Sequence, residues 1–194
     1  YWGCSNTSPI WGVELDPDTM TPIGEKKELI IYTEDEVGQN VVEGFLPNDL
    51  LRRVHIVPIG SDQAVLKQLA AAYRLHSHAC LAFCDGDKRK NHITAIKQIK
   101  NHLETRVGVD CEEWIDKHLK YLPGDVWPEK YLLEECVNNQ AIRENLNKIW
   151  KIDGISGGEI IECAMAGGKH SEFYMIAQQL NLSEEQVRMD VVRA

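Results

Sequence analysis

The chain has no run of eighteen apolar residues, so no membrane-spanning helix is expected. No basic segment leading into an apolar one opens it, and its first residue is Tyr1 instead of Met. It reads as a piece of a larger protein with a domain upstream. Six cysteines (Cys4, Cys80, Cys84, Cys111, Cys136 and Cys163) include no C-x-x-C pair, which argues against a structural zinc or a disulfide framework and for reduced thiols in the cytoplasm. There is no internal repeat and no low-complexity tract. A net positive charge is missing as well: 30 acids against 21 Lys and Arg leave −9, at first sight wrong for a nucleic-acid binder.

What is present, 194 residues of which 43% are hydrophobic, suits one globular core with a helical extension. The charge is unevenly spread. From residue 88 to 106 there are six basic side chains (Lys88, Arg89, Lys90, Lys97, Lys100 and Arg106) against the single acid Glu104. A solvated helix face has this composition, and so does a surface that meets a phosphate backbone.

Residues 1–27 carry Pro9, Pro17 and Pro22 and no sustained period. They are expected to connect or wrap, with Trp2 and Trp11 packed on a neighbouring surface. Strands are predicted over 28–33, 54–59, 79–84 and 118–122, from short runs of β-branched, aromatic and apolar residues. Helices are predicted between them. One carries Val37, Val41, Val42 and Phe45 on its apolar face, one opens at Gly60-Ser61-Asp62 with Val65, Leu66, Leu69 and Tyr73 inward, and a basic one covers about 91–105. Alternating strands and helices mean a mainly parallel sheet of about four strands. Segment 109–117 has no readable boundary. Pro128 suits the first turn of a helix over 129–137, a second amphipathic helix covers 141–150, and a Gly-rich loop around a short helix covers 151–168. Two helices close the chain, the last capped by Ser183. The expected organisation is a connecting segment 1–27, a catalytic domain 28–137 and a helical extension 138–194.

The stretch around which the chain is organised is Ala79-Cys-Leu-Ala-Phe-Cys-Asp85-Gly86-Asp87, an apolar strand stopping at two carboxylates one residue apart. In an open parallel sheet the C-terminal strand edge is where ligands collect, and paired like charges there are neutralised by a divalent cation. A polar turn after a strand has the same composition. Glu34 ends an earlier strand, so three carboxylates can meet at adjacent strand ends as an oxygen site for Mg²⁺ or Mn²⁺.

A strand ending in Glu, then helix, strand, helix, and a strand ending in Asp-Gly-Asp resembles the Toprim domain. That domain is the metal-binding unit of topoisomerases, primases and certain nucleases. In detail the chain resembles the nuclease half of the OLD (overcoming lysogenization defect) family. The resemblance is carried by Ile30-Ile-Tyr-Thr-Glu34-Asp35-Glu36, Val57-Pro-Ile-Gly60, Ala82-Phe-Cys-Asp85-Gly-Asp87-Lys88 and Leu122-Pro-Gly-Asp-Val-Trp-Pro-Glu129-Lys130, and more weakly by Gly168-Lys169-His170-Ser-Glu-Phe-Tyr. It implies a Mg²⁺- or Mn²⁺-dependent DNA endonuclease or nickase. Glu34, Asp85, Asp87 and Lys169 would be catalytic, and Glu34, Asp85, Asp87 and Glu129 would bind metal. Lys88, Arg89, Lys90 and Lys97 would meet DNA. An upstream ATPase domain or subunit, a homo-oligomer and a cytoplasmic role in antiphage defence are implied with it. One departure matters. Family members commonly place Gly after the first acid and a further acid four residues on, whereas here Asp35 follows Glu34 and Gly38 holds the later position; Asp35 or Glu36 is left to substitute. Glu34, Glu36 and Glu129 also suit helix first turns as plain dipole partners. Two other classes stay open: a Toprim-like scaffold without catalysis, and a haloacid-dehalogenase-like phosphatase, whose aspartate motif belongs on a first strand while Asp85 follows the third.

Overall fold

The computed structural model describes residues 7–8, 13–15, 22–23, 28–103, 107–108, 110–152, 156–168 and 170–194. Trp2, Trp11, Arg106 and Lys169 lie outside the described residues. The chain divides into two compact units. A sheet unit comprises Tyr1–Cys84 and Asn91–Tyr121, and a helical unit comprises Asp85–Lys90 and Leu122–Ala194.

In the sheet unit, β1 (Thr7–Ser8), β2 (Val13–Leu15) and β3 (Pro22–Ile23) form a small antiparallel sheet, where the sequence suggested only a connecting segment. The main sheet holds β4 (Leu29–Thr33), β5 (Val54–Pro58), β6 (Cys80–Cys84) and β7 (Leu119–Tyr121) in the order β5-β4-β6-β7, all parallel. The chain therefore steps from β4 to one side and returns to its other side, which makes the C-terminal edge between β4 and β6 a topological switch point. Alternation explains the two faces. Cys80, Ala82 and Cys84 of β6 are buried in a cluster with Val65, Leu66 and Leu69 of α3 (Asp62–Arg74), while Ile31 of β4 is buried out of step with them. The cluster continues through Ile99 and Leu103 of α4 (His92–Leu103) and Trp114 and Ile115 of α5 (Cys111–His118). Burying each such side chain contributes about 1.5–3 kcal/mol.

α1 (Glu36–Phe45) contacts β4 and β5 and buries Val41 and Val42. Phe45, expected inward, is 63% exposed, because it is the last residue of the helix and lies beyond the turn that meets the sheet. A single turn, α2 (Asn48–Leu51), precedes β5. Ser61 caps α3 by accepting from the Ala64 N–H at 3.2 Å, as its residue type predicts. α5 occupies the segment whose limits the sequence left open, and the strand after it is shorter than expected because His118 closes that helix.

The helical unit contains a 3₁₀ segment (Gly86–Asn91, its last residue counted with the sheet unit), α6 (Pro128–Asn138), α7 (Gln140–Trp150), α8 (Gly157–Met165), α9 (Glu172–Leu180) and α10 (Glu184–Arg193). Pro128 stands at N1 of α6, where a missing N–H is tolerated. Within the Gly-rich stretch, Ser156 and Glu159 form a reciprocal capping box that starts α8. Leu133, Leu146, Ile161, Ile176 and Val187 are fully buried at the centre of the unit.

Candidate functional site

At the sheet edge, β4 ends in Thr33, which is fully buried and donates its hydroxyl to the Asp35 carbonyl at 3.1 Å. Glu34 follows, half-buried. Its backbone is fixed by the Gly60 N–H, which donates to the Glu34 carbonyl at 2.7 Å. Gly60 has φ +99°, a conformation that other residues adopt only under strain. The glycine closing the 57–60 stretch thus holds the end of the strand that presents Glu34. Asp35 is committed elsewhere: its Oδ1 accepts the Gly38 N–H at 2.9 Å and caps α1. Gly38 is buried in that helix and Glu36 is exposed in its first turn. β6, the hydrogen-bonded neighbour of β4, ends at Cys84, and Asp85 is the next residue in the chain.

In the helical unit, Asp85 is buried and Asp87 half-buried. Between them Gly86 lies against backbone: a Cβ there would stand 2.5 Å from the Gly124 carbonyl oxygen and 2.9 Å from that of Pro123. The Asp-Gly-Asp stretch and the 122–125 loop therefore meet chain to chain, with no room for a side chain. Arg89 secures the same contact, its Nη2 donating to the Leu122 carbonyl at 2.8 Å and its Nη1 to Asp125 Oδ1 at 3.1 Å. Both charged partners are largely exposed, so the ion pair itself contributes roughly 0–1 kcal/mol. Lys88 is half-buried and Lys90 exposed; in the sheet unit Lys97 is exposed and Lys100 pairs with Glu112.

The 122–130 stretch, which runs into the first turn of α6, is tied to the late segment by two side-chain bonds. Glu129, at 7% exposure, holds His170 Nδ1 on its Oε1 at 3.0 Å. Trp127 Nε1 donates to Glu172 Oε1 at 3.0 Å, and Glu172 is 2% exposed with its Oε2 buried and accepting no hydrogen bond. Lys130 lies over the Trp127 ring, 5.3 Å from its centroid. His170 has φ +64° and Gly168 φ +132°. Sequence reasoning named Glu129 and Lys169 but passed over Glu172 and Trp127. Both stood inside the quoted stretches, yet nothing in their spacing announced a bond across 45 residues.

Glu34 in the sheet unit and Asp85, Asp87 and Glu129 in the helical unit each offer carboxylate oxygens, donors of the kind that hard divalent cations take. Among the described residues no three His, Cys, Asp or Glu side chains stand together as a group that could hold a metal ion.

Fold and strand-edge acids define an α/β chain built on a four-stranded parallel sheet, followed by a helical unit that carries the Asp-Gly-Asp stretch. No family model and no curated protein matches it. Among solved structures it is similar to the C-terminal region of the Xanthomonas campestris pv. campestris OLD protein. In the mercury-phased determination the identity is 12%, 87% of this chain and 86% of that chain are covered, and the TM-score is 0.48. In the platinum-phased one the identity is again 12%, the coverage 86% and 81%, and the TM-score 0.41.

Proposed function

We propose that the chain is a Mg²⁺- or Mn²⁺-dependent DNA endonuclease or nickase domain of the OLD type. On this reading it works in the cytoplasm as a homo-oligomer with an upstream ATPase, in defence against foreign DNA. The observation that carries the reading is the gathering, in one compact unit, of three motif stretches far apart in sequence. Asp85-Gly86-Asp87 lies on the 122–125 backbone, and the start of α6 that follows it grips the late segment through Glu129–His170 and Trp127–Glu172.

Asp85 and Asp87, with Glu34 from the strand beside β6, would hold the cation. When bound, it supplies a Lewis acid and a water activated near neutral pH. Glu129 would donate through Oε2, since Oε1 is engaged by His170. Lys169 would offset charge building on the phosphate. Lys90 and Lys97 are exposed and suited to the DNA backbone together with Lys88, while Arg89 serves first to hold the loop.

The test is cleavage of supercoiled plasmid in Mg²⁺, Mn²⁺ or EDTA, beside the Asp85→Ala, Asp87→Ala double variant. Metal-dependent cutting that vanishes in the variant is expected. A second reading, a scaffold of the same fold without catalysis, is favoured by the buried Gly38 where an acid would be wanted. It takes over if the chain neither cuts nor binds Mn²⁺, measured by calorimetry, through Asp85 and Asp87.

A further inference from the structure

Within the sheet unit, three side chains form a continuous hydrogen-bonded line. Asp116 Oδ1 lies 2.9 Å from His92 Nε2, and His92 Nδ1 lies 2.9 Å from the Tyr121 hydroxyl. A carboxylate only accepts, so in the neutral ring Nε2 carries the proton and Nδ1 is the lone pair that receives the phenol O–H. A nucleophile, a base within hydrogen-bond reach and a third group orienting the base is the arrangement that activates hydroxyls in covalent catalysis. The ring planes stand at 76° with centroids 5.7 Å apart, so the contact runs edge to face through the polar atoms and is not a stacking contact. Tyr121 is the last residue of β7, paired in register with Cys84, the last residue of β6. It therefore sits on the C-terminal edge of the parallel sheet, where reacting groups collect. The relay is reachable: Tyr121 is half-buried, and the His92 and Asp116 side chains are 32% and 57% exposed.

We infer that Tyr121 is a nucleophile toward phosphorus, with His92 as its base and Asp116 orienting the imidazole, and that its substrate is a phosphodiester. As Tyr121 Oη bonds to phosphorus, its proton passes to His92 Nδ1. The opposite P–O bond breaks, the leaving oxygen departs with the bonding pair, and it takes the proton from the imidazolium. Water later displaces the tyrosyl oxygen and restores the phenol. The relay stands on its own geometry; only DNA as the substrate rests on the nuclease reading.

Two measurements test this. In the first, the chain is treated with a fluorophosphonate, whose P–F bond breaks as the tyrosyl ester forms, and each tyrosine is followed by mass spectrometry. Tyr121 is expected to react faster than Tyr174, which is 56% exposed, and than Tyr73, whose hydroxyl donates to Asp110 without an imidazole. His92→Gln is expected to slow Tyr121 by about a hundredfold or more, the usual worth of a positioned base. Asp116→Asn, a change on an exposed side chain, should slow it less, and circular dichroism confirms that both variants fold. Labelling of Tyr121 no faster than Tyr174, or unchanged in His92→Gln, overturns the nucleophile. In the second, plasmid reactions are stopped in SDS. A protein–DNA adduct that is lost in Tyr121→Phe supports DNA as the substrate. Metal-dependent cutting with no adduct leaves the nuclease standing and overturns DNA as the substrate of Tyr121. Selective labelling with neither cutting nor adduct overturns the nuclease reading and the DNA assignment while the nucleophile stands.

Discussion

The two units treat buried charge differently. Among the described residues, four carboxylates are buried (Asp85, Glu129, Glu172 and Asp190), and all four belong to the helical unit; the sheet unit buries Thr33 and His118 but no acid. Two of the four accept an indole N–H, Glu172 from Trp127 at 3.0 Å and Asp190 from Trp150 at 3.1 Å. Asp190 also takes the Gln186 amide at 2.7 Å. Isolated buried charge is costly, and such groups persist where hydrogen bonds replace water. The helical unit thus makes polar joints from buried acids, whereas the side-chain joints of the sheet unit, such as Asp116–His92–Tyr121, are made by half-buried and exposed groups.

The comparison predicts different sensitivities. In the sheet unit, Leu69→Ala removes a fully buried side chain of α3 and should cost about 2–5 kcal/mol, read as a lowered urea midpoint. In the helical unit, Glu172→Ala should cost about 1–3 kcal/mol through the lost indole bond, while Glu172→Gln keeps an acceptor for Trp127 and should lose clearly less. Equal losses for Ala and Gln would show that charge, and not the joint, matters there, and would break the contrast between the units.

That contrast also divides what the sequence could tell. Apolar period is a local signal, so the cores of β4, β6 and α3 were legible in Ile31, Cys80, Ala82, Val65 and Leu69, and Ser61 announced its helix by residue type alone. Strand-edge acids were legible for the same reason: Glu34 and Asp85 follow runs that could only be strands. β1 and β3 have two residues each, too few to alternate visibly. The capping box at Ser156 and Glu159 was hidden by glycines that also suit a loop. Glu129–His170, Trp127–Glu172 and Asp116–His92–Tyr121 join residues 24 to 45 apart, and no pattern along a chain encodes such a meeting.

Buried thiols test the units on equal terms. Burial pushes the Cys80 thiol of the sheet unit up to about 11 and that of Cys136 in the helical unit up to about 12, from an ordinary 9.0. The folded thiols keep their protons to higher pH than the unfolded chain does. Their contribution is therefore whole below pH 9 and is lost as pH rises toward those values, by about 1.4 kcal/mol per thiol per pH unit once the unfolded thiol has ionised. Urea midpoints should fall between pH 8 and about 10.5, and less steeply in Cys136→Ala. A slope untouched by that substitution would assign the alkaline loss to other groups.

The smallest effect bears most directly on the acids at the sheet edge. Asp35 stands beside Glu34, where an acid could be spent on a cation, yet its Oδ1 accepts the Gly38 N–H and closes the first turn of α1. A cap and a ligand respond differently to substitution. Serine caps a helix about as well as aspartate but brings no charge, so Asp35→Ser should leave the urea midpoint nearly unchanged, while Asp35→Ala should cost about 1 kcal/mol. Neither should alter Mn²⁺ affinity measured by calorimetry if Asp35 is only a cap. Weaker Mn²⁺ binding in Asp35→Ser with stability intact would instead give Asp35 a part in cation binding beyond its cap.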